Sequence, residues 1–179
     1  MPSLVGSEMC IRDRSFYEQA WPILKKEKIP FILFVNTREV GTKGYMDWEQ
    51  IKEVSRKKFA HIGNHSYSHE YLVDMNDQEI IDDIKIASSD FKINLGFNSP
   101  FFSYPFGEYS NNFKTIVKNL KFEYAFGQHS GVIDETKDFY ELPRFPINET
   151  YGELNRFKTI LKTCLLYTSP SPQTRHDLV

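Results

Sequence analysis

The chain has 179 residues, 40% of them hydrophobic and 26% charged, with a formal net charge of -2. That is enough for one compact domain with a sizeable core and too short to make two domains the default. Lys and Arg are scattered apart from the cluster Arg56, Lys57 and Lys58, so there is no sustained basic footprint and no nucleic-acid partner is expected. No apolar run approaches the roughly 20 residues that cross a bilayer, and the N-terminus lacks a charged-then-apolar leader, so no membrane span is expected in the chain as written.

Both ends are expected to be foreign to the domain. Residues 5–14, VGSEMCIRDR, can be encoded as GTG GGC TCG GAG ATG TGT ATA AGA GAC AG. The reverse complement, read in another frame, encodes CLLYTSPSP, which is residues 164–172. Such an inverted repeat resembles a sequencing-library adapter translated on both sides of a genomic insert. Residues 1–14 and 164–179 are therefore set aside, leaving 15–163 as a partial domain. Cys10 and Cys164 both fall in these ends, so cysteine usage says nothing about redox compartment.

Residues 15–28 have helical periodicity, with Phe16, Ala20, Ile23 and Leu24 on one face and Lys25, Lys26 and Glu27 on the other; Pro22 constrains the start. Residues 29–35 (IPFILFV) form a short apolar run that suits a strand buried on both faces of a parallel sheet, ending at polar Asn36 and Thr37. Residues 41–44 read as a loop, 47–58 as a second helix, and 59–62 as a second strand that delivers the histidine segment. Asn76 and Glu79 make a capping box for the clearest helix, with Ile80, Ile84, Ala87, Phe91 and Leu95 on one stripe and Gly96 as its stop. A strand over 101–104 breaks at Pro105 and Gly107, a helix covers 111–119, and a strand covers 124–126. This alternation predicts an α/β fold with a parallel sheet or barrel. Polar residues punctuate the strand ends at 36–37, 64–69, 105–108 and 128–130, where such folds gather functional groups.

His65 and His69 are separated by three residues, so both imidazoles can reach one metal ion from a helical turn or tight loop. Asn64, Ser66 and Ser68 are candidates to hold the rings by hydrogen bonds. Two imidazoles and one carboxylate would leave open positions on Zn²⁺ or a similar ion, which suits hydrolytic chemistry. By spacing alone, two surface histidines in a polar loop are the commoner reading.

The run IGNHSYSHEYL, set between a strand and a helix, resembles the second motif of the polysaccharide deacetylase family, the NodB-homology domain of carbohydrate esterase family 4. SFYEQAWPILKKEKIPFILFVNT is similar to the segment that follows the family's first motif, FFSYPFGEYS to its third motif, and ELPRFPIN to a later segment of one branch. The resemblance implies a distorted (β/α) barrel, incomplete here. It also implies metal-dependent hydrolysis of N-acetyl groups on an amino-sugar polymer such as poly-N-acetylglucosamine, chitin-like oligomers or peptidoglycan. It gives the ligand role for a divalent metal, Zn²⁺ in the first instance, to His65 and His69. It assigns the groove wall to Tyr104, Pro105, Phe106 and Gly107, and it suggests a parent protein in the periplasm, at the cell surface or secreted.

Two departures from the family pattern stand out. The first motif, an Asp-Asp-Gly triplet that supplies the catalytic base and the third metal ligand, would precede Ser15, where the adapter-like sequence stands. Asp13 lies near that place, and the role is not carried over to it. In the third motif many relatives have an arginine that orients the catalytic aspartate; here the residue is Ser103, and Arg144 is the candidate for an equivalent charge, with a structural ion pair as the plain alternative. The family's leucine-x-histidine motif is not visible. His129 is the candidate general acid in its stead, with a bystander role in a loop as the alternative. His61 reads as strand or surface filler, and His176 falls in the excluded tail. Tyr67, Tyr71, Phe106 and Tyr109 lie close enough to stack on sugar rings, against core or rim packing. The competing function is a non-catalytic carbohydrate-binding or scaffolding domain on the same fold. A closed structural zinc site would need four ligands and finds no nearby cysteines.

Overall fold

The computed structural model of the chain describes residues 14–129 and 138–144. Four strands, β1 (Phe31–Val35), β2 (Ala60–Asn64), β3 (Phe101–Ser103) and β4 (Tyr124–Phe126), form one parallel sheet in the order β1-β2-β3-β4. Parallel neighbours need a crossover, and helices supply each one. A π-helical turn over Phe16–Ala20 runs into α1 (Trp21–Glu27) before the sheet; α2 (Trp48–Ser55), α3 (Asp77–Leu95) and α4 (Asn111–Asn119) then link successive strands. A strand order that never reverses is the pattern of a (β/α) barrel run, whereas a doubly wound sheet reverses at a switch point. The expected α/β class with a parallel sheet is what the chain adopts.

The two faces of β1 go to different places. Leu33 and Val35 pack with Phe16, Trp21, Ile51, Val54, Ile62 and Phe91 in one core cluster between sheet and helices. Ile32 and Phe34 lie on the opposite face with Phe101, Tyr124, Phe126 and Leu142. A second helix-side cluster joins Ile80 and Ile84 of α3 to Phe102, Tyr104, Phe113 and Val117. Each fully buried Leu, Phe or Ile here contributes about 1.5–3 kcal/mol through burial. Gly63 faces Phe34 across the β1/β2 ladder, and a Cβ on it would come within 2.3 Å of the Phe34 ring. The glycine thus leaves the space that the Phe34 ring occupies.

Several boundaries differ from the sequence expectation for local reasons. Pro22 falls in the first turn of α1; it lacks an N–H and would crowd a preceding carbonyl, and the wider π turn in front of it relieves both problems. Helix α2 stops at Ser55 rather than running to 58, because Lys57 N–H bonds to Val54 O at 3.1 Å and Ala60 N–H to Lys57 O at 2.9 Å, turning the chain into β2. Strand β2 in turn runs two residues further than expected, since Gly63 and Asn64 still pair with Phe34 and Val35. His65 consequently leaves directly from the strand end. The Asn76–Glu79 capping box and the left-handed Gly96 stop of α3 form as expected, and α2 has a second capping box, Asp47 with Gln50.

Leu142 makes a parallel bridge to Phe126, so the segment beyond β4 returns alongside it and carries Arg144 to the same end of the sheet. Among the described residues no helix is long and apolar enough to cross a membrane. Asp13, Ser130, His176 and the end segments 1–13 and 145–179 lie outside the described residues.

Candidate functional site

The carboxyl ends of β1 to β4 carry Asn36, His65, Tyr104 and Gly127 respectively. His65 N–H donates to Val35 O at 3.0 Å, extending the ladder by one residue and burying the side chain to 1% exposure. Its Nδ1 lies 2.8 Å from Ser103 O. A carbonyl can only accept, so Nδ1 carries the proton and, in the neutral ring, Nε2 carries the lone pair. Burial pushes the His65 pKa down to about 3; the neighbouring His69 and Arg144 push the same way, and the Ser103 carbonyl opposes them. The ring is therefore neutral at physiological pH, the form in which imidazole ligates a metal.

The half-buried His69 ring lies 4.8 Å from that of His65, centroid to centroid, nearly edge-on at 74°. Getting both rings to one place requires an unusual backbone: Ser66 (φ 68°) and His69 (φ 55°) are left-handed non-glycine residues. Such conformations cost of order 1–3 kcal/mol each and persist where surrounding contacts over-determine them. Here the loop's amides all have acceptors. Ser66 N–H donates to Asn64 Oδ1 (2.8 Å), Tyr67 and Ser68 N–H to the two oxygens of Asp83 (2.8 and 2.9 Å), His69 N–H to Ser66 Oγ (3.0 Å) and Glu70 N–H to Ser68 Oγ (3.2 Å). From the other side Asn36 Nδ2 donates to Tyr67 O at 2.8 Å, and Thr37 N–H to Ser66 O at 3.3 Å.

Asn64, Ser66 and Ser68, expected to hold the two rings, accept hydrogen bonds from the loop's main chain. Asn36 belongs to the polar punctuation expected at the end of β1, whereas Asp83 was missed because it sits outside the motif. Asp83 lies on the polar side of a helix read only for its apolar stripe.

The turn after β3 behaves differently. Tyr104 was expected on the groove wall, but its side chain is fully buried, packed against Phe102, Phe113 and Tyr109. Its hydroxyl donates to Tyr140 O at 2.9 Å. It is a core residue because the pleat after Phe102 directs it to the helix side. Pro105 and Gly107 are buried too. At Gly107 (φ 74°) a Cβ would fall 2.0 Å from Gln128 Cβ and 2.7 Å from its backbone nitrogen, so only glycine fits. Of the four expected wall residues, Phe106 alone reaches solvent, with 48% exposure. Left-handed at φ 56°, it holds its ring 4.9 Å from His69 and 5.6 Å from Tyr71. Tyr71 in turn donates its hydroxyl to Glu108.

Arg144 is buried; its Nε donates to Gly127 O at 2.7 Å and its guanidinium carbon lies 5.6 Å from the centre of the Phe34 ring. Phe34 is 6.4 Å from the His65 ring, so a permanent cation stands behind the histidine. His129 is exposed at the end of β4, its ring 6.1 Å from that of Tyr109, and its carbonyl accepts from Arg144 N–H at 3.0 Å. His61 is an exposed strand residue against Phe101. Among the described residues, no third His, Cys, Asp or Glu joins the histidine pair in a cluster able to hold a metal. The donor set present, two imidazoles with one tautomer fixed by a carbonyl, fits part of a coordination shell.

Comparison with known proteins bears on the family and the fold. The family model described as Polysaccharide deacetylase matches residues 7–125. A poly-beta-1,6-N-acetyl-D-glucosamine N-deacetylase of Staphylococcus aureus is 23% identical over 150 residues, covering 76% of this chain and 52% of that protein. The chain thus spans about half the length of the curated relatives it matches. The solved structure of IcaB from Ammonifex degensii superposes with a TM-score of 0.74 at 25% identity, covering 85% of this chain and 69% of that one. The Streptococcus pyogenes deacetylase PplD, solved with acetate, gives a TM-score of 0.76 at 20% identity over 83% of this chain and 66% of that one, a likeness of fold.

Proposed function

The chain belongs to the polysaccharide deacetylase family, and from that premise we propose that it is part of an enzyme hydrolysing N-acetyl groups of an amino-sugar polysaccharide, poly-N-acetylglucosamine foremost, with His65 and His69 holding a divalent metal ion. The family is metal-dependent in general. The observation that carries the proposal is the buried, neutral His65 with Nδ1–H on the Ser103 carbonyl and the His69 ring 4.8 Å away. That arrangement leaves Nε2 as the donor atom of His65 and favours Zn²⁺ among common ions. The ion would supply Lewis-acid polarisation of the acetamide carbonyl and activate water.

The chain's own residues would do the rest. Phe106, exposed beside His69, and Tyr71 offer faces for a sugar ring, while Tyr104, Pro105 and Gly107 support Phe106 from below. Arg144 keeps a fixed positive charge next to the pair, and His129 is the candidate to hand a proton to the departing amine. The third ligand and the base are assigned to residues upstream of Ser15 in the native protein, residues 1–14 and 164–179 being adapter-derived on this reading. The genomic sequence there is expected to encode paired aspartates, and their absence would remove the catalytic reading.

The direct test is titration of the 179-residue chain with Co²⁺ or Zn²⁺. Binding that weakens roughly 100-fold or more in both His65→Ala and His69→Ala is expected for first ligands; binding unchanged in either variant overturns the assignment. A second reading, a glycan-binding domain without chemistry, draws on Ser103, which stands where many relatives have an arginine. Under it, glycan affinity survives in the double alanine variant, and the natively extended protein releases no acetate.

A further inference from the structure

One carboxylate in the site is used by neither histidine ring nor by any part of the proposed chemistry. Asp83 sits on α3, and both its oxygens point at the loop between the histidines, accepting from Tyr67 N–H at 2.8 Å and Ser68 N–H at 2.9 Å. A carboxylate is an acceptor through both oxygens, and hydrogen bonds to it are roughly twice as strong as neutral ones. The two amides belong to consecutive residues, so the pair of bonds fixes the orientation of the peptide plane between them as well as its position. On either side of that peptide stand the left-handed residues Ser66 and His69, whose conformations relax if the loop is released. Ser66, by contrast, binds within the loop itself and would travel with it, while Asn64, at the end of β2, reaches only the Ser66 amide of the loop.

We propose that Asp83 is the positioning residue of the histidine pair: by clamping the Tyr67–Ser68 peptide to α3 it holds the His69 ring at its observed place beside the anchored His65. The inference rests on the reading of the pair as metal ligands. It makes α3, a helix that contributes no ligand, the second anchor of a peptide whose carbonyl is held from the β1 side by Asn36 Nδ2 at 2.8 Å and Arg38 N–H at 3.2 Å.

The test uses the intact chain with Asp83→Asn and Asp83→Glu. Asn preserves volume and one acceptor oxygen but turns an amide donor toward a backbone N–H; Glu preserves the charge and both acceptors. Asp83→Asn is expected to weaken Co²⁺ binding about 10- to 100-fold, the range for supporting partners of metal ligands, and to alter the visible spectrum of the bound Co²⁺. Asp83→Glu should restore part of both. Val117→Ala, a core truncation on α4 away from the loop, serves as a destabilised control and should bind as the unaltered chain does. Wild-type affinity and spectrum in Asp83→Asn, or an equal loss in Val117→Ala, would overturn the proposal.

If the unaltered chain binds no Co²⁺, the metal reading falls separately. The clamp is then judged on the metal-free chain, by the nuclear Overhauser contact between the His65 and His69 rings and by slow exchange of the Tyr67 and Ser68 amides. Loss of both in Asp83→Asn supports the clamp, and their retention sinks it.

Discussion

Two turns leave neighbouring strands of the same sheet, and both are built around left-handed non-glycine residues, yet they are held by opposite means. The turn after β2, residues 64–70, is tied by a hydrogen bond donated by Asn36 and by amide bonds accepted by Asn64, Ser66, Ser68 and Asp83. The turn after β3, Pro105–Gly107, has main-chain bonds of its own, Gly107 N–H to Tyr104 O and Gln128 N–H to Gly107 O, and its side chains are held by packing: a buried tyrosine before it, a buried proline within it and a glycine that admits Gln128. Hydrogen bonds are directional and specify where two rings point. Apolar packing is not, and it serves to give one exposed ring, Phe106, a firm base. The difference suits the proposed roles, a pair of metal ligands on one side and a sugar-facing aromatic on the other.

The largest expected effect breaks the packed turn. Tyr104→Ala removes a fully buried ring from the contacts with Phe102, Phe113 and Tyr109, and a loss of about 3–5 kcal/mol in urea unfolding is expected. The matching change in the bonded turn, Ser66→Ala, deletes only the acceptor of His69 N–H and should cost about 1 kcal/mol. Equal costs at the two positions would erase the contrast.

Much of this contrast could be read in the sequence, and the remainder could not for identifiable reasons. The polar run IGNHSYSH marks the bonded turn because His, Asn and Ser are the residue types that such a turn uses, and the strand before it supplies its location. The turn YPFG was assigned as a unit of four wall residues, whereas three are buried. Which of four consecutive residues reaches solvent depends on the pleat of β3 and on α4 behind it, neither of which is encoded locally. Asp83 was invisible for a related reason: its partners lie 15 and 16 residues away in sequence, and on a helix surface a solvated aspartate and a clamping one look alike. The overall class followed from periodicity, since long stripes such as Ile80, Ile84, Ala87 and Phe91 average over such local choices.

An effect between those of the two substitutions is expected from pH, and it belongs to the bonded turn alone. In the folded chain His65 stays neutral down to about pH 3, while an unfolded imidazole takes a proton near pH 6.5. Between those values the unfolded chain binds more protons, so stability is fully present above about pH 6.5 and falls as the pH drops, by up to about 1.4 kcal/mol per unit. Urea unfolding of the metal-free chain at pH 7.5 and pH 5 should therefore differ by roughly 2 kcal/mol more than in His65→Gln. A slope that the substitution leaves unchanged would mean that the ring is not held neutral by burial.

The finest distinction lies at Phe106, where the packed turn keeps a bulky residue in the left-handed region with φ 56° and nearly half its surface in water. Burial gains little for such a side chain, and the backbone conformation costs about 1–2 kcal/mol in any residue but glycine. Phe106→Gly removes that strain, though it also loosens the unfolded chain by about 0.5–1 kcal/mol and gives up the ring contacts with His69 and Tyr71. Stability should therefore stay within about 1 kcal/mol of the unaltered chain, while affinity for an N-acetylglucosamine oligomer, read by calorimetry, falls several-fold. If instead the variant unfolds readily and binds the oligomer unchanged, Phe106 belongs to the core support of its turn, and the division between a bonded turn that aims ligands and a packed turn that presents a ring no longer holds.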